Sequence, residues 1–366
     1  MTSPDPQPRV RPRRRVPLWD NARWIAITLV VIGHGTLPLI GASDTSYSVY
    51  LFIYAFHMPV FVLVSGYFAK SGPPGPSQLK RVITDIVLPY LIFETIWTLV
   101  HWLVGGNFWL DYATASWTLW FLLSLAVWRI VLPYLVMLRY PLAISMVVSV
   151  FAGYFPSIDS TFSLSRTIAL LPFFVFGWAI RQRQLTSRWL ALPPRIIWRW
   201  RGAAIALFTA LAVVIALNIH WLRDIKIRRF LLFDEAYPTI GYDQFWAGGI
   251  RLAVMVLAMV LALSFLALMP RRATWFTGLG AATMYIYLLH SFLLYPLRET
   301  PVLAGDKPGW VLPAVIALCI AIAIVLSQPF IHLVFRPLVE PRARWLFRQE
   351  PRTETGTLVL PPDIRG

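Results

Sequence analysis

The chain has 366 residues, of which 58% are hydrophobic and 14% charged, against roughly 45–50% and about 25% in soluble domains. Its 17 Trp, 14 Tyr and 23 Phe and its mean hydropathy of +0.63 suit a lipid interface. Together they exclude a soluble enzyme, a disordered chain and a disulfide scaffold. The formal charge is +16, but the basic residues fall mostly between apolar runs, so a lipid bilayer and not a nucleic acid is the expected partner. Cys319 is the single cysteine, which makes an intramolecular disulfide impossible.

The expected fold class is all-α: a polytopic integral membrane bundle of about ten transmembrane helices. Residues 1–18 read as a basic, Pro-rich cytoplasmic tail with no cleavable signal. A helix needs about 20 apolar residues to cross the hydrocarbon, and candidate spans follow at 19–40, 47–68, 81–104, 118–137, 141–156, 166–181, 202–220, 248–269, 276–296 and 311–335. The transmembrane domain is therefore 19–335, followed by a tail at 336–366. No internal repeat is evident. With the N-terminus inside, the cytoplasmic segments hold 23 Lys and Arg and the opposite side holds 6. That bias predicts a multi-pass protein of the cell membrane with both termini cytoplasmic.

Ionisable groups within the spans are costly and point to function. In the first span Arg23 and His34 are eleven positions apart. Eleven steps of about 100° return to within about 20° of the starting face, over a rise of roughly 16 Å. Asp20 lies three residues before Arg23 on nearly the same face. The second span contains Phe56-His57-Met58-Pro59 and then Ser65-Gly66-Tyr67. Pro59 removes a backbone donor, freeing a carbonyl one turn earlier and bending the helix beside His57. Glu94 sits midway along the third span, so His34, His57 and Glu94 fall at similar depth on three consecutive helices. A carboxylate near an imidazole can orient a general base. Each residue also has a structural reading. A lone buried His is often a hydrogen-bonded core residue, and Glu94 would neutralise a neighbouring helix. Pro59 and Gly66 would serve kinking and close packing, and Arg23 would be an interfacial anchor.

These residues resemble the membrane-bound acyltransferase-3 family, in particular its fucose 4-O-acetylase-like branch. Arg23 through His34 is similar to that family's Arg-x10-His pattern. Phe56-His57-Met58-Pro59-Val60-Phe61 with Ser65-Gly66-Tyr67-Phe68 resembles its second block, and Leu79-Lys80-Arg81 with Leu88-Pro89-Tyr90 the start of its third helix. Weaker echoes are Leu119-Trp120-Phe121-Leu122, Pro172-Phe173-Phe174-Val175-Phe176-Gly177 and Tyr287-Leu288-Leu289-His290. The resemblance implies a ten-helix enzyme that moves an acyl group, usually acetyl, from acetyl-CoA to a hydroxyl of a carbohydrate or similar acceptor. By position it implies His34 as the essential histidine, Arg23 as its paired arginine, and Ser65, Gly66 and Tyr67 as part of the donor site. One departure is that Arg81 is followed by Val82-Ile83-Thr84 where many members carry an Arg-x-x-Arg pair. Lys80 or Lys70 would then supply the second charge.

The expected catalytic set is thus His34, His57 and Glu94, and the donor set Arg23, Ser65, Gly66, Tyr67, Lys80 and Arg81. Basic groups at a cytoplasmic mouth suit the phosphates of CoA. No metal site and no permanently bound cofactor is expected; acetyl-CoA is a co-substrate. His34 would act as general base or carry the acyl group itself. The competing class is a secondary transporter or flippase of a glycan or lipid precursor, for which buried His and Glu also fit, although its matched halves are not found. The stretch from Arg223 through Asp243, with Arg223, Lys226, Arg228 and Arg229, either recognises phosphate or carboxylate on an acceptor or is an ordinary solvated loop. The loop reading is the one favoured.

Overall fold

The computed structural model describes residues 16–73 and 75–347; most of the two expected tails, 1–15 and 348–366, lies outside the described residues. The chain is all-helical. Its α-helices are α1 (Pro17–Thr36), α2 (Asp44–Tyr54), α3 (His57–Phe68), α4 (Pro76–Val82), α5 (Leu88–Leu103), α6 (Trp120–Leu135), α7 (Pro141–Ala152) and α8 (Leu164–Gln182). They continue as α9 (Leu185–Ala191), α10 (Pro194–Leu217), α11 (Ile219–Asp224), α12 (Ile227–Leu232), α13 (Ala247–Leu268), α14 (Thr283–Glu299), α15 (Val311–Leu326) and α16 (Pro329–Val339). Many of the prolines mark starts: Pro17, Pro141, Pro194 and Pro329 stand in the first turn of their helices, where a missing N–H leaves no bond unmade.

Among the described residues, seven helical runs are long and apolar enough to cross a bilayer, and an eighth if α15 and α16, bent by 75° at their junction, form one broken span. Each of the ten expected runs contains a helix. Two of them, α6 with 16 residues and α7 with 12, fall short of the roughly 20 that a crossing needs. By length and apolarity the expectation of about ten crossings stands at seven to eight. Outward-facing apolar side chains such as Val213, Val214 and Leu217 on α10 and Val256 and Val260 on α13 are exposed, as befits helices in contact with lipid and not water. The protein is a multi-pass membrane protein.

Burial separates the inner helices from the outer ones. In α1 the apolar window is 67% buried, against 11% in α10, so α1 is central and α10 peripheral. α1 packs against α3, α14 and α15, and α3 packs most extensively on α8. That last contact is closed by two glycines. A Cβ at Gly66 would stand 1.9 Å from the Phe174 carbonyl oxygen, and one at Gly177 would stand 1.9 Å from the Leu63 oxygen. Each helix thus sits in a notch of the other, the small-residue packing that membrane bundles use where no hydrophobic effect drives association.

The bend expected at Pro59 is present as a full interruption. Helix α2 ends at Tyr54 and α3 begins at His57, because Pro59 has no N–H for the carbonyl of Ala55. At the break the imidazole Nδ1 of His57 donates to the Ile53 oxygen at 2.9 Å. A carbonyl only accepts, so Nδ1 carries the proton and Nε2 is left with its lone pair.

Candidate active site

His34, in the last turn of α1, and His57, at the start of α3, line one cavity of about 270 Å³. Arg23 and His34 lie on the same unbroken helix, and of the two only His34 lines the cavity. His57 is buried, whereas His34 is partly exposed to the cavity. The ring of His34 lies 5.5 Å from the ring of His290 on α14 and 5.3 Å from Trp117, edge to face with the latter. His290 is fully buried. Its Nδ1 donates to the Ile286 oxygen at 2.9 Å, which leaves its Nε2 as an acceptor. That nitrogen, like Nδ1 of His34, is buried with no hydrogen-bond partner among the described residues. His34 and His290 are thus neighbouring histidines with one unbonded ring nitrogen each, and of the two only His34 lines the cavity.

Glu94 pairs with Ser116 and not with an imidazole. Its carboxylate accepts from the Ser116 backbone N–H at 2.9 Å and from the Ser116 hydroxyl, and no hydrogen bond joins it to a histidine. It therefore clamps the segment that leads into α6. The next residue, Trp117, has φ +39, a left-handed conformation that costs a bulky side chain about 1–3 kcal/mol. Tyr287 donates to the carbonyl of Thr118 on the other side. At the far end of the segment, Asp111 accepts from the Ala113 N–H at 2.8 Å, which holds its carboxyl below the usual range. Glu94 and Tyr287 together hold Trp117 against His34.

The donor residues read from the sequence divide into three places. Arg23 pairs with Asp20 at 3.4 Å and lies over the ring of Phe68, 4.1 Å from its centroid. Tyr67 packs on Trp19 at 3.9 Å, so the start of α1 and the end of α3 form one cluster. Ser65 bonds back to the Phe61 oxygen at 2.9 Å, and Gly66 is the notch against α8 described above. Lys80, over Phe347 at 4.6 Å, lines a second recess of about 640 Å³ with Thr84, Asp85 and Glu340. Arg23 is not in its lining. Arg81 is exposed on α4.

The stretch 223–243 is not simply a solvated loop. Phe230, Phe233 and Tyr237 are buried, and α12 folds over the cavity so that Arg228 and Arg229 line it. Arg166 at the start of α8 bonds Asp234 at 2.5 Å. Arg251, buried in α13, donates to the Glu235 oxygen at 3.0 Å. These two bonds tie the segment down. Arg298, at the end of α14, reaches the same cavity over Trp117, 4.8 Å from its ring centroid. His290, named only within a weaker family echo, and Trp117, Arg166 and Arg298 were not in the expected catalytic or donor sets. The first could have been found by the rule that chose His34 and His57, since it too is ionisable within an apolar run.

The fold and this cavity define a helical membrane protein with a histidine pair and a lining of guanidinium groups sharing one chamber. The acyltransferase-3 family model, an acyltransferase domain, matches residues 17–328. The chain belongs to that family and is a membrane acyltransferase. No curated protein and no solved structure matches it significantly.

Proposed function

We propose that the protein transfers an acetyl group from acetyl-CoA to a hydroxyl of a carbohydrate or a related cell-envelope or small-molecule acceptor, in the manner of the fucose 4-O-acetylase-like branch. The single observation that carries this reading is His34, an imidazole that lines the cavity on the same helix as Arg23 within the family-matched segment. His34 takes the proton of the acceptor hydroxyl as its oxygen attacks the thioester carbonyl. The new C–O bond forms, the C–S bond breaks, and the proton passes from His34 to the departing thiolate. His57, with Nε2 free in the same cavity, is a second acceptor for the incoming hydroxyl. Glu94 acts as a positioning residue through Ser116 and Trp117.

The charge bias of 23 against 6 supports a cytoplasmic side for both termini and Arg23, and on that reading the donor enters from the end where α1 begins. The acceptor enters from the opposite end, beside α12, and the acetyl group crosses the midplane in one catalytic event. Sealed right-side-out vesicles holding the protein test this. Free CoA is expected over time only when acetyl-CoA is loaded inside, and an impermeant acceptor fraction from cell envelopes is expected to act only from outside. No CoA release under any arrangement overturns the acyltransfer reading. Release that needs both substrates inside overturns the sidedness alone.

Arg23→Ala is expected to raise the KM for acetyl-CoA about tenfold or more, the worth of a charge-assisted bond. Arg23→Lys restores only part, because the bidentate fork is lost. A purely structural Arg23, held by Asp20 and Phe68, would instead lower the unfolding midpoint with the donor KM unchanged.

A further inference from the structure

Four guanidinium groups line the cavity, from Arg166, Arg228, Arg229 and Arg298. Three have a carboxylate within ion-pair distance: Arg166 with Asp234, Arg229 with Glu235 and Arg298 with Glu299. Arg228 has none among the described residues. Other basic groups of the same stretch are committed elsewhere: Arg223 to Asp44 at 2.9 Å and to the Ile40 oxygen, and Lys226 to the Ile240 oxygen. Arg228 instead meets Tyr50, with its Nε 3.4 Å from the hydroxyl and its guanidinium 5.5 Å from the ring centroid. Tyr50 stacks on Tyr54 at 3.9 Å, and Tyr54 meets the ring of His57 at 4.5 Å. Arg298 rests on Trp117, which meets His34. Each histidine is thus joined by aromatic rings to an arginine of the lining, and one of those arginines, Arg228, has no carboxylate within ion-pair distance among the described residues.

The lining sets four guanidinium groups against one carboxylate, that of Asp234, and this excess of positive charge favours an anion. We propose that the acceptor carries a negatively charged group, a carboxylate or a phosphate, which Arg228 binds together with Arg298, so that a neighbouring hydroxyl is presented at His34. This rests on the acyltransfer reading for the word acceptor, though not for the anion site itself. The cavity, about 270 Å³, lies just below the usual range of roughly 300–1,000 Å³ for small-ligand sites. That is room for about one acidic unit of a larger molecule.

The test uses the full-length protein in lipid nanodiscs at fixed ionic strength, titrated with three probes: methyl glucuronide, glucose 1-phosphate and methyl glucoside. At least one of the two anionic sugars is expected to bind tenfold or more tighter than the neutral one, and which of them does so identifies the anion. Arg228→Gln removes that preference, Arg228→Lys keeps part of it, and Arg223→Gln, outside the cavity, leaves it intact. Equal binding of all three probes, no binding of either anion, or a preference that survives in Arg228→Gln overturns the proposal. So does a rise in the KM for acetyl-CoA with no change in the acceptor KM in Arg228→Gln, since the anion held would then be the donor's phosphate. Anion preference without CoA release removes the acyltransfer reading and leaves the site. CoA release without preference removes only the site.

Discussion

His34→Ala is expected to lose acyl transfer by about 10²–10⁴-fold, the span that a positioned acid–base group contributes, or completely if the histidine carries the acyl group. The protein should still insert and fold. His34 is partly exposed and its Nδ1 makes no hydrogen bond among the described residues, so truncation removes no internal bond at that atom. The unfolding midpoint should therefore move little while CoA release from acetyl-CoA stops. Turnover near the wild-type rate in a well-folded variant would refute the base and carrier roles together. Loss of activity that tracks loss of fold would mean that the ring only fills space between Trp117 and His290.

What could be read from the sequence was whatever depends on residues close together in the chain. The shared face of Arg23 and His34 follows from helical periodicity, and the interruption beside His57 from the absent N–H of Pro59. Both hold because backbone geometry decides them within three turns. Partners brought together by packing were not legible. Glu94 shows its depth in the sequence, but Ser116 lies 22 residues on, in a segment with no periodic pattern. Arg228 and Arg223 look alike in one basic cluster. They differ because Asp44, 179 residues from Arg223, neutralises one and not the other. The approach of His290 to His34 likewise depends on how α14 packs on α1. The short helices α6 and α7 show the converse limit, since apolar composition there ran ahead of helix length.

Gly66→Ala and Gly177→Ala are both expected to destabilise the protein heavily, and this outcome separates two meanings of the Ser65-Gly66-Tyr67 block. Overpacking a core usually costs about 1–3 kcal/mol. Here the obstacle is a backbone carbonyl inside a helix, at 1.9 Å from the added carbon in each case, and it cannot rotate away. The helices must part by at least ~1 Å to restore a normal contact, so the effect should lie at or above the top of that range. It should appear as a large drop in unfolding midpoint and yield. Separation of α3 from α8 would also displace His57 at the start of one helix and Arg166 at the start of the other, so activity should fall without the glycine touching a substrate. Gly177 is outside the donor set, which makes it the control. If packing is the role of Gly66, the two variants behave alike, and whatever folded protein survives keeps its KM for acetyl-CoA. A Gly66→Ala protein with unchanged stability and a raised donor KM, beside a Gly177→Ala protein with neither, would instead place Gly66 against the donor.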